Sequence, residues 1–167
     1  MIKRVKGNLV AMAYDGQFDV IVHGCNCMNT MNSGIAKEIK AKIPEAFQAD
    51  TVMHYSFGIP ILKLGNYSKA MPWKPLVGNL FTVINAYTQL DYNKQGEEWI
   101  DRFEYGSFQL ILKKLAFEFP DSRFGFPMIG MGRAGGDPDL IISMLEGFET
   151  EISNTGGSVT MVEYDGL

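Results

Sequence analysis

Twice in this chain a short β-branched run gives way to a helical pattern across a loop rich in glycine and asparagine, and that arrangement restricts the available folds. Phe18-Asp19-Val20-Ile21-Val22, bounded by Gly16 and Gly24, reads as a buried strand. After the loop from His23 to Gly34, Ile35, Ile39 and Ile43 alternate with Lys37, Lys40 and Lys42, the pattern of an amphipathic helix. Arg123 to Met128 predicts a second strand, followed by the loop from Pro127 to Asp137. Asp137 is placed as the cap of the last helix and Pro138 as its first residue, ahead of the stripe Ile141, Met144, Leu145 and Phe148. Strand, loop and helix repeated in this order predict an α/β fold with helices on both faces of the sheet.

The remaining segments fit the same scheme. Ile2 to Val5 predicts a strand, and the first helix is expected to stop at Pro44, with a further turn or two through Glu45 to Val52. Gly58 to Pro75 should be irregular with one brief strand. Leu80 to Tyr87 predicts a central strand, Phe108, Ile111, Leu112 and Leu115 a helix beginning near Tyr105, and Ser158 to Val162 a final strand. With 167 residues, 46% of them apolar, the chain can bury a core of its own, and a single domain over 1–167 is expected.

Charge and composition narrow the partners. A net charge of −4 with both signs interspersed leaves no basic patch for nucleic acid. No window has the roughly 20 apolar residues of a membrane span, and Met1 to Lys6 lacks the apolar core of a signal peptide, so a cytoplasmic, membrane-free protein is expected. Cys25 and Cys27 are too close in sequence for an ordinary disulfide and too few for structural zinc; reduced thiols are expected, with no metal and no cofactor. The ligand should be a small molecule.

Each glycine-rich loop joins a strand to a helix, where free backbone N–H groups and the positive end of the helix dipole suit a phosphate. The second holds Gly130, Gly132, Gly135 and Gly136, which let backbone approach a ligand. No nucleoside-triphosphate P-loop is present. The Gly130, Gly132, Gly135 spacing matches G-x-G-x-x-G, but too little chain follows it for a dinucleotide fold. If the two strands are parallel neighbours, both loops open at one edge of the sheet.

The segments Gly7-Asn8-Leu9, Val20-Ile21-Val22-His23-Gly24-Cys25-Asn26, Ser33-Gly34-Ile35-Ala36 and Phe126-Pro127-Met128-Ile129-Gly130-Met131-Gly132 resemble a macro domain over essentially the whole chain. Within that family they are most similar to the stand-alone ADP-ribose 1''-phosphate phosphatases of fungi and phages. The resemblance implies a three-layer α/β/α sandwich with a six-stranded mixed sheet. It also implies binding of ADP-ribose or ADP-ribose 1''-phosphate by Gly7, Asn8, Leu9, Cys25, Asn32, Ser33, Gly34, Ile35, Ile129, Gly130, Met131, Gly132, Arg133, Ala134 and Gly135. Asn8 stands where the family usually has an aspartate that accepts the adenine amino group, and Asn32-Ser33-Gly34 replaces a run of three glycines.

The implied reaction is hydrolysis of ADP-ribose 1''-phosphate to ADP-ribose and phosphate, with Asn26 near the distal ribose. His23 is a candidate to orient or protonate a leaving group, and Asp137 to position water; their structural alternatives are a silent strand-end histidine and a helix cap. Arg133 is a candidate phosphate clamp, and Tyr87 and Tyr92 are candidate ribose or adenine contacts. His54 is expected to be structural. Two other readings stay open: removal of ADP-ribose from a modified protein or nucleic acid, and a non-catalytic ADP-ribose reader. Against the first, Arg133-Ala134 occupies the place of an aspartate that some family members pair with a lysine in the helix after the first loop; Lys40 and Lys42 lie near that lysine's position.

Overall fold

The computed structural model describes residues 1–73, 79–97 and 99–166; Pro75, at the end of the segment expected to be irregular, lies outside them. Six strands form one sheet: β1 (Lys3–Gly7), β2 (Val20–Asn26), β3 (Tyr67–Ala70), β4 (Thr82–Gln89), β5 (Arg123–Phe126) and β6 (Ser158–Tyr164). Their order across the sheet is β1-β6-β5-β2-β4-β3. All neighbours run parallel except β3, which pairs antiparallel with the far side of β4. The sheet is mixed, as expected, and β2 and β5, which feed the two glycine-rich loops, are parallel neighbours.

Among the described residues, five α-helices cover the faces: α1 (Leu9–Tyr14), α2 (Gly34–Lys42), α3 (Pro44–Phe57), α4 (Tyr105–Glu118) and α5 (Pro138–Asn154). The predicted stripes are the buried ones: Phe108, Ile111, Leu112 and Leu115 of α4 and Ile141, Leu145 and Phe148 of α5 pack on Val20, Val22, Ile84, Ala86, Phe124 and Phe126. Leu9, Val10 and Ala13 of α1, Ile39 of α2 and Ala46 of α3 pack on Ile21, Cys25, Val83 and Tyr87. Consecutive residues of a strand thus serve opposite layers.

Three elements differ from the sequence expectation. Helix α1 is unforeseen, because six residues without a polar period leave only its cap visible; Asn8 Oδ1 accepts from Ala11 N at 2.9 Å. Helix α3 runs well beyond the expected turn or two, to Gly58 in the left-handed region at φ 73°. Its apolar Val52 and Tyr55 are exposed, which blurs the amphipathic signal. Strand β2 continues through His23 to Asn26, so the first third of the expected loop is sheet.

That extension seats a polar network in the layer under α3. His23 Nε2 lies 2.7 Å from Asn85 Oδ1, and Asn85 Nδ2 donates to Ala46 O (2.8 Å) and Ser68 Oγ (2.9 Å). Ser68 bonds Tyr87 Oη at 2.7 Å, and Tyr87 donates to Asp50 Oδ1 at 2.7 Å. Asp50 is also ion-paired to Lys63 at 2.8 Å, with both side chains essentially out of water, and Lys63 Nζ stands 4.5 Å over the Tyr87 ring.

Candidate functional site

A cleft of about 710 Å³ runs across the carboxyl ends of the parallel strands, where ligands of open α/β folds sit. The sheet order gives it two ends. At one, β1 contributes Gly7, α1 contributes Leu9 and β6 contributes Val162 and Tyr164; at the other, β4 contributes Thr88 and Gln89, followed by Tyr92 and Asn93. Between them lie Gly24, Cys25 and Asn26 of β2, residues 31–36 and Glu38 from the first loop and α2, and Pro127 to Gly130 with Gly132 to Ala134 from the second loop.

The first loop is turned by its own side chains. Asn26 Oδ1 accepts from Met28 N at 2.8 Å, its Nδ2 donates to Thr30 Oγ1 at 2.9 Å, and Asn29 and Met31 take positive φ (60° and 47°). Ser33, the cap residue of α2, makes no side-chain capping bond. The first residues of α2, Gly34, Ile35 and Ala36, line the cleft, and their N–H groups, at the positive end of the helix dipole, are left uncapped by Ser33.

The second loop is held from behind. Gly130 and Gly135 adopt φ 73° and 75°, and Gly136 N donates to Gly130 O at 2.8 Å, closing the loop. Asn93 Nδ2 donates to Arg133 O and Arg102 N donates to Ala134 O, both at 2.8 Å, while Arg102 Nε donates to Asn93 Oδ1 at 2.9 Å. Because a trans peptide sets C=O and the next N–H in opposite directions, tying back Arg133 O turns Ala134 N–H the other way. The N–H groups of Gly130, Gly132, Arg133 and Ala134 donate to nothing among the described residues. Two sets of open N–H donors thus border one cleft, and its charged lining residues among those described are Arg133 and Glu38.

Of the residues singled out from sequence, Gly7, Leu9, Cys25, Asn26, Asn32, Ser33, Gly34, Ile35, Ile129, Gly130, Gly132, Arg133, Ala134 and Tyr92 line the cleft. Asn8, Met131 and Gly135 stand next to lining residues without lining it themselves. Asn8 is occupied elsewhere: it caps α1 and its Nδ2 donates to Glu38 Oε1 at 3.0 Å, so the acidic group at this end of the cleft is Glu38.

His23, Asp137 and Tyr87 are not brought to the cleft. Strand alternation turns His23 and Tyr87 into the layer beneath α3, and burial drives the His23 pKa down to about 4, against the raising influence of Asn85 and Asp50. Its imidazole is therefore neutral at physiological pH. Asp137 caps α5 through Asp139 N at 3.0 Å. Burial likewise raises the Cys25 thiol and pushes the Cys27 thiol up to about 11, which leaves both as inert thiols. Lys40 lies against the first loop, with Nζ 3.3 Å from both Thr30 O and Asn32 Oδ1 and 4.0 Å over the Phe47 ring.

Sequence reasoning passed over Thr88, Gln89 and Glu38 as lining residues and Asn93 and Arg102 as struts of the second loop. The stretch after β4 carries no glycine-rich signature, and only its position beside Gly24 and the second loop gives it a role.

This architecture matches solved structures along the whole chain. A macrodomain of Mycobacterium tuberculosis DarG superposes with a TM-score of 0.71 at 20% identity, over 98% of this chain and 97% of that one. The chain has the macrodomain fold. Thermosipho africanus DarTG, solved in complex with ADP-ribose, matches the same fold with a TM-score of 0.74 at 12% identity, over 96% of this chain and 40% of that one. In sequence, the uncharacterized 17.5 kDa protein of the tk-vs intergenic region of enterobacteria phage T4 is 28% identical over 171 residues, spanning 100% of this chain and 99% of the phage protein. No family model matches the sequence. Among the described residues, no helix is long and apolar enough to cross a membrane.

Proposed function

We propose that the cleft binds ADP-ribose and that its reaction is hydrolysis of ADP-ribose 1''-phosphate. The observation that carries the binding is the pairing of two open N–H arrays, at the first turn of α2 and along Gly130 to Ala134, on one cleft. A diphosphate bridging them would gain charge-assisted hydrogen bonds without rearranging the loops. The fold it shares with the ADP-ribose complex of DarTG supports the same ligand.

In this reading the base lies at the end formed by Leu9, Val162 and Tyr164, with Glu38 as the acceptor for its amino group, and the distal ribose lies toward Asn26 and β4. Asn26 still has one N–H and one lone pair to offer. Arg133 neutralises the 1''-phosphate. Water attacks phosphorus, the bond to the C1'' oxygen breaks, and that oxygen takes up a proton, giving ADP-ribose and phosphate. Near β4 the lining holds neither carboxylate nor imidazole among the described residues, so positioning and charge neutralisation carry the rate.

The test is phosphate release from ADP-ribose 1''-phosphate by the purified protein, with ADP-ribose calorimetry on the same sample. Turnover that disappears in Asn26→Ala while ADP-ribose still binds supports the reading. Binding without phosphate release removes the phosphatase and keeps the binding site; absence of both removes the proposal.

A further inference from the structure

Gln89 owes its place in the cleft to an irregularity of the sheet. Strict alternation along β4 would turn it to the α3 side with Tyr87. In the β2–β4 register, however, Cys25 faces Tyr87 and Asn26 faces Gln89, so Thr88 is the extra residue of a β-bulge. A bulge re-aims a side chain at the rim of a sheet. Here it sets Gln89 beside Asn26, and both line the cleft. The bulge is braced on both sides, since Glu104 N donates to Thr88 O at 2.7 Å and Cys27 N to Leu90 O at 2.9 Å.

The backbone fixes how each of the two carboxamides is turned. Gln89 Nε2 donates to Asp91 O at 2.8 Å, and a carbonyl only accepts, so the amide nitrogen is the atom on that side. Met28 N only donates, so Asn26 Oδ1 is the atom that meets it. What is left over is complementary. Gln89 Oε1 accepts nothing from the described residues, and on this half-buried side chain it is not closed off from solvent. Asn26 keeps one N–H beyond the bond to Thr30. An acceptor and a donor side by side suit a hydroxyl, which both gives and takes hydrogen bonds; a phosphate oxygen, which only takes them, is repelled by Oε1.

We infer that Gln89 is a specificity residue whose Oε1 accepts a hydrogen bond from a hydroxyl group of the ligand's distal sugar. The inference rests on the ADP-ribose reading of the cleft. Gln89 turns a cleft able to hold any nucleoside diphosphate into one that rewards a second ribose. It touches substrate away from the breaking bond and orients the sugar ring for Asn26 and Arg133.

The experiment is calorimetry of wild type, Gln89→Met and Gln89→Glu with two probes, ADP-ribose and ADP. Methionine keeps the length and removes both polar atoms; glutamate keeps an acceptor and loses the N–H given to Asp91 O. The expected result for the methionine variant is a loss of roughly threefold to tenfold in ADP-ribose affinity, the range of one neutral hydrogen bond, with ADP affinity unchanged. The glutamate variant should keep or exceed the wild-type ratio of ADP-ribose to ADP affinity, since its charge repels the diphosphate of both probes alike. A glutamine that only shaped the turn at Asp91 would behave differently, because both variants lack that bond and would lose together. Equal losses for the two probes with methionine, no loss for either, or a ratio that falls as far with glutamate as with methionine would each overturn the inference while leaving the ADP-ribose reading in place. Wild type that binds ADP but shows no preference for ADP-ribose overturns the inference too, and wild type that binds neither probe overturns both.

Discussion

Strands β2 and β4 present polar residues to both of their faces, and the two sets are finished differently. Toward α3, His23, Asn85 and Tyr87, joined through Ser68 of β3, form one hydrogen-bonded set that reaches the Asp50–Lys63 pair. Toward the cleft, Gly24, Asn26, Thr88 and Gln89 adjoin loops whose N–H groups are left open. The first set uses its hydrogen-bonding capacity to define the fold, and the second keeps it for a ligand. Neighbouring residues of one strand can therefore belong to stability and to binding respectively, since the side-chain period is two.

The sharpest way to break this division is Asp50→Ala. It strands the Lys63 ammonium out of water and takes away the acceptor of the Tyr87 hydroxyl, and removing one partner of a buried ion pair costs about 3–5 kcal/mol. Urea unfolding should show that loss, while the folded fraction binds ADP-ribose within about threefold of wild type; a selective loss of binding would contradict the division.

A somewhat smaller effect is expected at His23. Its folded pKa, about 4, lies below its ordinary 6.5, so between those values the unfolded chain binds the extra proton. Its contribution is therefore fully present above pH 6.5 and is lost as pH falls toward 4, by up to about 3 kcal/mol. Denaturant midpoints measured across this window for wild type and His23→Gln should differ in slope, the variant lacking this component. ADP-ribose affinity at pH 7.5 should match in the two proteins; a large loss in the variant would bring His23 back into the site.

The smallest expected effect sharpens the cleft side. A Cβ at Gly132 meets nothing within 4 Å, so Gly132→Glu should leave the melting temperature unchanged. Its carboxylate would nevertheless stand among the open N–H groups of the second loop, and ADP-ribose affinity should fall at least tenfold, about 1.4 kcal/mol. Unchanged affinity by calorimetry would remove the diphosphate assignment.

Much of this was legible in the chain itself. The spacing of Ile35, Ile39 and Ile43, the stripe through Ile141 and Phe148, and the Asp137-Pro138 start of α5 all appear as elements where their patterns place them. Fourteen of the candidate residues converge on one cleft because β2 and β5 are parallel neighbours. The candidates that fell outside it failed for local reasons. His23 falls in a strand that runs further than expected, strand alternation turns both His23 and Tyr87 toward α3, and Asp137 already serves as a cap.

By itself the sequence determined what depends on neighbours in the chain: helix periods, caps, the glycines that permit positive φ, and the order of strands and helices. Only the tertiary structure decided what depends on distant partners. Asn93 supports Arg133 across 40 positions, Lys63 pairs with Asp50 through the folding of α3, and a one-residue mismatch between β2 and β4 turns Thr88 toward the cleft. The physical reason is that a side chain's face and its free hydrogen-bonding capacity are set by what packs against it, and no local pattern records the register of a neighbouring strand.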